Sequence, residues 1–459
     1  MHHNHHGISL LDGWLPTSVM VAALLATAVV IGVRPHRSIA RWLPICAGVG
    51  ASAFLFVRAD LSSQGLVGDR PPATLWWWIG TTGFVIALSV VGFRTAGWAA
   101  RLCSPLAIVL AVASTAITAD QWTGYFPTVS AAWNTMTAGP LPDQAELADL
   151  PSLRGKHTDT GTVVTITTPS NISHFHHRAE YVYLPPAWLS SPAAAPPPRL
   201  PVVMMLPGVF NTPPDWMRIG NAIEVVDSYA RAHNGQAPIL VFADVTGGFR
   251  NDTECVNGPR GNVADHLTKE VRPQVISQFG ADPSPRSWGI VGWSMGGTCA
   301  VDLTLMHPDL FTTFDDIAGD AAPNVGTPGV TLTRLYGGDS HLMAEYDPMV
   351  ALKAHGPYHG VSAWFEDNGD PGAASDHRSN SAMAAAASEV AAARALCAAA
   401  RQFKIHCEIH LDPGRHTWQF AQASFAEALD WMVAHLTGRP AQVHADHLPP
   451  ALTSRHRHR

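Results

Sequence analysis

A serine set between glycines offers the clearest chemistry in this chain. The stretch GIVGWSMGG is a short apolar run that ends in Gly292-Trp293-Ser294-Met295-Gly296, and it matches the pattern G-x-S-x-G. Such a pattern places a serine on a tight turn between a buried strand and a helix, where larger flanking side chains would collide. A serine hydroxyl is a weak nucleophile unless a base takes its proton, so a histidine and an orienting acid are expected further along the chain.

The candidate base is His416. It lies in HLDPGRHTWQF, a Pro/Gly turn between the last predicted strand and an amphipathic helix, from which a side chain can reach back over the sheet. A capping or solvent-exposed role is the alternative for it. The competing histidines lie in loop-rich segments or in the strand itself: His341, His355, His359, His377, His406 and His410.

The orienting acid should follow the preceding strand, in WFEDNGD or just beyond it. This segment offers Glu366, Asp367 and Asp370, and Asp376 follows shortly after. We choose Asp370, just past Gly369, and keep Asp367 and Asp376 as competitors, because an aspartate in a polar loop is more often only solvated.

Attack on an ester carbonyl forms an oxyanion, which needs backbone N–H donors. Met295, the residue after the serine at the start of a helix, is expected to supply one. The second is expected from the loop LPGVFNTPPDW, at Val209 rather than at Phe210.

The elements that must position these residues alternate between strands and helices. The runs PVVMMLPG, PILVFADV and RSWGIVGW are nearly continuous and apolar, as expected of strands buried on both faces. FTTFDDIAGD, VSAWFEDNGD and KIHCEIHLDPG are further strands, and TGTVVTITTP and RAEYVYLPP alternate like half-exposed antiparallel ones. The predicted helices are Ile219–His233, Val263–Phe279, Ser294–His307, Ser381–Phe403 and Thr417–Leu436. This alternation predicts an α/β domain with a mostly parallel sheet and helices on both faces.

The first 120 residues have a different character. They contain four uncharged stretches, each close to the roughly 20 residues needed to cross a bilayer: Trp14–Val33, Trp42–Val57, Leu75–Phe93 and Leu102–Thr118. Four such stretches, with tryptophans at several ends, indicate a membrane bundle rather than buried helices of a soluble protein.

The loop charges predict the orientation of this bundle. Arg34, Arg37 and Arg41 occupy the first connection and Arg94 and Arg101 the third, whereas the second balances its charges. The positive-inside rule then puts both ends of the bundle outside the cytoplasm. We therefore predict a multi-pass protein of the cell membrane with four transmembrane helices in 1–119, a membrane-proximal linker in 120–155, an extracytoplasmic α/β domain in 156–437 and a disordered tail in 438–459.

Composition excludes some function classes. The formal net charge is −7, and the chain lacks a basic cluster with interleaved aromatics, which argues against nucleic-acid binding. Histidines cluster in MHHNHHG, HFHHR and RHRHR, segments that we interpret as tails or loops rather than metal sites. We predict no metal and no cofactor, and the oligomeric state stays open.

The motifs in their order resemble a known family. GWSMGG, LPGVFN, NDTECVNGPRG, HPDLF and PGRHTW, spread over roughly residues 156–437, resemble the putative esterase family of α/β hydrolases. That family includes esterase D-type S-formylglutathione hydrolases and mycobacterial mycolyltransferases. The resemblance implies Ser294, Asp370 and His416 as the triad, and the helical anchor looks like that of membrane-tethered members in high-GC Gram-positive bacteria. The chain departs from mycolyltransferases, which use a Glu acid and an Asp-Gly-Leu-Arg loop where this chain has Pro207-Gly208-Val209-Phe210.

Four of the six cysteines lie in the C-terminal domain, where an oxidising compartment would allow disulfides. Cys255 follows the fourth predicted strand, and Cys299 is one turn into the serine helix. Cys397 ends a helix whose next strand carries Cys407. We predict the pairs Cys255–Cys299 and Cys397–Cys407, one of three possible pairings.

Three functions compete on these grounds. The first is a serine ester hydrolase, or an acyltransferase on envelope glycolipids, with an acyl-ester or lipid substrate near the membrane. The second is a non-catalytic envelope protein on a hydrolase fold, which the ordered Ser, acid and His disfavour. The third is a transporter with an accessory domain, which the absence of charge from the apolar stretches disfavours.

Overall fold

The computed structural model of the protein describes residues 7–33, 36–63, 71–91, 97–137, 139–369 and 381–438. The predicted tail therefore lies outside the described residues, apart from its first glycine. Both predicted parts are present: an N-terminal group of four long apolar helices and a C-terminal α/β domain.

The four N-terminal helices are α1 Trp14–Gly32, α2 His36–Ser63, α3 Ala73–Val91 and α4 Trp98–Thr123. All four are long and apolar enough to cross a membrane. The second and fourth are longer than the sequence predicted, because hydrophobicity marks only the apolar part of a helix and no breaker follows Val57 or Thr118. Helix α4 ends where Gly124 adopts a left-handed conformation with φ of 64°.

The α/β domain is built on one nine-stranded sheet, in the order β1-β2-β3-β5-β4-β8-β9-β10-β11. Strands β2 and β3 and strands β3 and β5 pair antiparallel, and the other neighbours pair parallel. A separate two-stranded hairpin consists of β6 and β7. The strands are β1 Gln144–Ala145, β2 Thr162–Ile166, β3 Glu180–Leu184, β4 Val202–Leu206, β5 Ile239–Phe242, β6 Asn257–Gly258, β7 Gly261–Asn262, β8 Trp288–Trp293, β9 Thr313–Ile317, β10 Ser362–Asn368 and β11 His406–Asp412.

Helices cover both faces of this sheet, as predicted. The remaining helices are α5 Val129–Met136, α6 Leu150–Leu153, α7 Pro186–Leu189, α8 Asp215–Arg218, α9 Ala222–Ala232, α10 Val263–Asp265, α11 Arg272–Phe279, α12 Met295–Met306, α13 Pro328–Tyr336, α14 Ser340–Glu345, α15 Pro348–His355, α16 Ser381–Gln402 and α17 Trp418–Thr437. One apolar core lies under α10, α11, α12 and α16, and a second lies under α8, α9 and α17. The central strands β4, β5, β8, β9 and β10 are buried on both faces. Because they run parallel to one another and to β11, these strands end at the same edge of the sheet, here called the carboxyl edge.

The linker joins the two parts more closely than its composition indicated. It contains the short helix α5 and the strand β1, which pairs with β2 at the border of the sheet. Leu141 and Leu150 are buried, one in each core of the α/β domain. Apolar residues in a proline-rich segment gain burial only after the sheet has formed, so the sequence could not show that they belong to it.

Both predicted disulfides are present. The sulfur atoms of Cys255 and Cys299 are 2.07 Å apart, and those of Cys397 and Cys407 are 1.98 Å apart. The first ties the loop after β5 to the first turns of α12, and the second ties α16 to β11. Each pair therefore fixes an element that reaches the carboxyl edge.

A buried ion network holds the segment before β3 onto the domain. The ring of His266, in a π-helical turn His266–Val271, lies with Nε2 3.1 Å from Glu180 Oε1 and Nδ1 2.9 Å from Glu270 Oε2. Glu270 also accepts hydrogen bonds from the amides of Ile172 and Ser173, at 2.7 and 3.1 Å. Burial alone would lower the pKa of His266, but the two carboxylates outweigh it and raise the pKa above its ordinary value.

This raised pKa predicts a pH-dependent stability. A protonated His266 stabilises the fold below the ordinary histidine pKa, and the contribution is lost as pH rises through the higher folded value. His266→Gln should lower the free energy of unfolding by about 3–5 kcal/mol at pH 6, because breaking a buried pair leaves its partners uncompensated.

Thermal unfolding of both proteins from pH 6 to pH 9 checks this, with His233→Gln as the control, since the His233 ring hydrogen-bonds to the carbonyl of Tyr229 and stacks on the Tyr229 ring. The difference in melting temperature between wild type and His266→Gln should become smaller as pH rises. A gap that stays constant would contradict the assignment of charge to His266.

Candidate active site

The predicted serine lies on a strained turn at the carboxyl edge. Ser294 follows β8 directly and precedes α12, and its φ of 59° is a left-handed conformation that a serine rarely adopts. A side chain at Gly292 would collide with the carbonyl of Gly296, and one at Gly296 would collide with the carbonyl of Leu206. The glycines are therefore required by the turn, which lifts Ser294 out of the strand.

The second loop at this site packs against the serine. A Cβ at Gly208 would lie 3.1 Å from the Cβ of Ser294, so the backbone of this loop touches the nucleophile turn. Phe210 has a φ of 68°, which bends the chain around Val209. Val209 is therefore adjacent in the chain to Gly208, the residue that contacts Ser294. Met295 provides the first amide of α12, and this amide lacks an intrahelical partner.

Hydrogen bonds from two other elements hold this loop. Arg178, paired with Asp244 at 2.6 Å, donates from its guanidinium to the carbonyl of Asn211 at 2.9 Å. The Trp418 indole N–H donates to Asn211 Oδ1 at 3.2 Å. The loop is thus fixed before any substrate binds, which is the condition for backbone amides to stabilise a developing charge.

The predicted base reaches the serine turn. The ring of His416 packs against the ring of Trp293, the residue before Ser294, with centroids 5.3 Å apart. More than a hundred residues separate the two in sequence, and the parallel arrangement of β8 and β11 brings them to the same edge. His416 Nδ1 also lies 3.4 Å from Glu389 Oε1.

The acid chosen from the sequence, Asp370, lies outside the described residues, as does Asp376. Of the other candidates, Glu366 faces α17 and accepts from the Trp364 indole N–H at 3.1 Å. Asp367 is buried at the end of β10, where burial and the charge of Glu389 raise its pKa from 3.8 to about 8, against the opposing effect of His416. Asp367 is therefore protonated at neutral pH, and a neutral carboxyl does not offset the charge of an imidazolium.

Glu389 is the residue that sequence reasoning missed. It projects from α16, which the sequence showed only as an alanine-rich helix, and its side chain is 12% exposed. One signal was available, because Glu389 is the only acidic residue between Ser381 and Gln402. Without the fold, nothing connected that carboxylate to a histidine 27 positions later.

Among the described residues, two groups of side chains have the composition of a metal site. In the first, His177, Glu180 and His266, the two imidazole rings are stacked with centroids 4.6 Å apart, so their nitrogens cannot both point at one ion in this arrangement. The second, Glu366, Asp412 and Glu427, consists of carboxylates alone. Neither group touches the serine turn, and neither enters the chemistry derived below.

The model of the family described as "Putative esterase" matches residues 176–433, more than half of the chain. The protein belongs to the putative esterase family. The family assignment made from the motif order is thereby confirmed, and the match spans both the serine turn and the His416 loop.

Three individual proteins are similar to this chain over more than half of its length. An uncharacterized protein of Corynebacterium glutamicum is 29% identical over 376 residues, which cover 78% of this chain and 84% of that protein. Among solved structures, an S-formylglutathione hydrolase from Agrobacterium tumefaciens is 18% identical with a TM-score of 0.46, over 61% of this chain and 98% of its own. MPT51 of Mycobacterium tuberculosis is 19% identical with a TM-score of 0.40, over 59% and 99%.

The raised pKa of Asp367 makes a prediction that separates it from a triad acid. Between about pH 4 and pH 8 the folded protein keeps a proton that the unfolded chain loses, so Asp367 destabilises the esterase increasingly over that range. Asp367→Asn should therefore raise the melting temperature at pH 8, leave it nearly unchanged at pH 4, and lower ester turnover by less than about tenfold. Calorimetry at the two pH values checks the first part. A variant less stable than wild type at pH 8 would contradict it.

Proposed function

We propose that this esterase is a serine ester hydrolase that works through an acyl-enzyme, anchored in the cell membrane with its α/β domain outside the cytoplasm. The observation that carries the proposal is the meeting of His416 with the Ser294 turn at the carboxyl edge, inside the region matched by the family model. The four apolar helices support the anchoring, and the arginines of the first and third connections in the sequence support the orientation.

In this proposal His416 activates the serine. Its ring takes the proton of the Ser294 hydroxyl while the oxygen attacks the ester carbonyl carbon. The amides of Met295 and Val209 bind the resulting oxyanion. When the tetrahedral intermediate collapses, the C–O bond to the alcohol breaks, His416 returns the proton to the leaving oxygen, and the acyl group stays on Ser294.

The second half of the reaction repeats these roles. Water gives a proton to His416 and attacks the carbonyl carbon of the acyl-serine. When the second intermediate collapses, the bond from that carbon to Ser294 Oγ breaks, His416 returns its proton to Oγ, and the carboxylic acid is released. An alcohol in place of this water would transfer the acyl group instead, and analysis of products with glycerol or trehalose added distinguishes the two.

The acid partner of His416 holds one imidazole tautomer and stabilises the imidazolium formed during attack. Glu389 is supported by its contact with Nδ1, the ring nitrogen that faces away from the serine in such triads. It is also the acid type that the mycolyltransferases of the resemblance use. Asp370 is supported by its place after β10, the strand that precedes the histidine strand in the sheet.

A labelling experiment tests the nucleophile. Wild-type esterase in detergent should react with a fluorophosphonate probe and hydrolyse p-nitrophenyl acetate, and Ser294→Ala should lose the label and roughly 10⁴- to 10⁶-fold in kcat. Ser277→Ala is the matched control, because Ser277 is an exposed serine of α11 away from the carboxyl edge. Equal labelling of wild type and Ser294→Ala would leave a non-catalytic binding protein as the better account.

The identity of the acid is tested by a pair of isosteric variants. Glu389→Gln should lower kcat by roughly 10²- to 10⁴-fold with little change in KM, because the acid acts on the transition state. Asp370→Asn should then have an effect below about tenfold. The reverse ranking in p-nitrophenyl acetate kinetics would transfer the role to Asp370 and leave Glu389 as a neighbour of the ring.

A further inference from the structure

The carboxyl edge of the α/β domain faces one end of the helix bundle. Residue Gly124, which ends α4, accepts a hydrogen bond from Gln419 Nε2 at 3.0 Å and packs against Thr417, the residue after His416. The next residue, Tyr125, is hydrogen-bonded to the carboxylate of Asp215, in the segment that follows the Val209 loop. The bundle therefore meets the domain beside the serine site.

A second contact lies at the same end of the bundle. Arg250 forms an ion pair with Asp60, three residues before the end of α2. Helices α2 and α4 end on the same side because α3 runs back between them. The contacts at Asp60 and at Gly124 therefore lie at the same end of the bundle, at the depth where the apolar part of α2 stops.

The short helix α5 indicates that this end of the bundle lies at the membrane interface. Val129, Trp133 and Met136 are spaced i, i+4 and i+7, so they share one face of the helix, and all three are exposed, Trp133 by 64%. Helix α5 begins six residues after α4 ends. An exposed apolar face directly beside a membrane span is expected to lie in the lipid headgroup region.

A pair of aromatic side chains lies between the serine site and the end of the bundle. The rings of Phe210 and Phe249 lie with centroids 4.9 Å apart, and Phe249 is 66% exposed. Phe210 follows Val209 in the loop that touches Ser294, and Phe249 precedes Arg250, which contacts the bundle. An exposed phenylalanine next to a residue that contacts the bundle leaves apolar surface in water, and this surface would be stabilised by contact with a hydrocarbon chain.

We propose that Phe210 and Phe249 guide the acyl chain of a bilayer-embedded ester from the membrane to Ser294, which makes them specificity residues for long-chain substrates. The inference rests on the proposed esterase function and names its substrate class, an amphiphile whose acyl chain starts in the outer half of the bilayer. On this path the acyl chain of the substrate stays in contact with the end of the bundle and with the two phenylalanine rings, so it does not cross water before it reaches the serine.

The test compares two esters on full-length protein reconstituted in phosphatidylcholine vesicles. 4-Methylumbelliferyl palmitate dissolved in the vesicles reports the long-chain path, and p-nitrophenyl acetate in solution reports the catalytic residues alone. Phe249→Ser should lower kcat/KM for the palmitate ester roughly tenfold, since a serine offers the acyl chain much less apolar surface than a phenylalanine ring, and should leave acetate hydrolysis within twofold. Phe249→Leu should recover most of the loss.

The control is Met349→Ser, because Met349 is a similarly apolar and exposed side chain on α15, away from the contacts with the bundle. It should change neither rate. Equal losses on both esters for Phe249→Ser, or no loss on either, would overturn the proposed path while leaving the serine hydrolase intact. Wild-type protein without Ser294-dependent acetate hydrolysis would remove the proposed function and this inference together.

Discussion

The site depends on one constrained turn, in which a serine adopts a left-handed conformation between a buried strand and a helix. The strain at Ser294 is tolerated because neighbouring glycines let the carbonyls of Gly296 and Leu206 approach where side chains would collide. The amide of Ser294 donates to the carbonyl of Ile317 at 2.8 Å, which anchors the turn to the adjacent strand β9. The position of the hydroxyl is therefore set by backbone packing rather than by the flexible side chain.

Aromatic packing extends this rigidity to the other loops. Trp418 contacts Trp293 and Trp216, with ring centroids 4.6 and 5.2 Å apart, and Trp293 contacts His416. The same Trp418 donates to Asn211 in the loop of Val209. One buried layer thus connects the three loops that must act together. The exit of α4 packs against its edge at Thr417, so the anchor and the site share a boundary.

Burial gives the carboxylates around His416 different properties. Burial raises the pKa of both Asp316 and Asp367 above the ordinary value, and the charge of Asp367 adds to this at Asp316 while that of Glu389 adds to it at Asp367. A raised pKa favours the neutral form of a carboxyl, which serves packing more readily than charge stabilisation. The neighbouring carboxylate of Glu389 contacts the imidazole directly. Residue type alone did not distinguish these acids, because the difference arises from solvent access.

Local patterns in the sequence determined much of this protein. Residue type and spacing predicted the four apolar stretches, the alternation of strands and helices, the glycines around Ser294 and the turn that carries His416, because each depends on neighbours close in the chain or on burial of whole segments. The predicted order of elements favoured the two cysteine pairs over the other two possible pairings. The family resemblance added the expectation that these motifs form one site.

Only the tertiary structure decided which distant groups meet. It placed Glu389 beside His416, set Asp60 against Arg250, and brought β1 and Leu141 of the linker into the α/β domain. None of these follows from a local pattern, since a lone carboxylate in an alanine-rich helix or an arginine in a loop has the same signature wherever it points. Their roles come from the packing of whole helices against the sheet, which the sequence encodes only through the complete core.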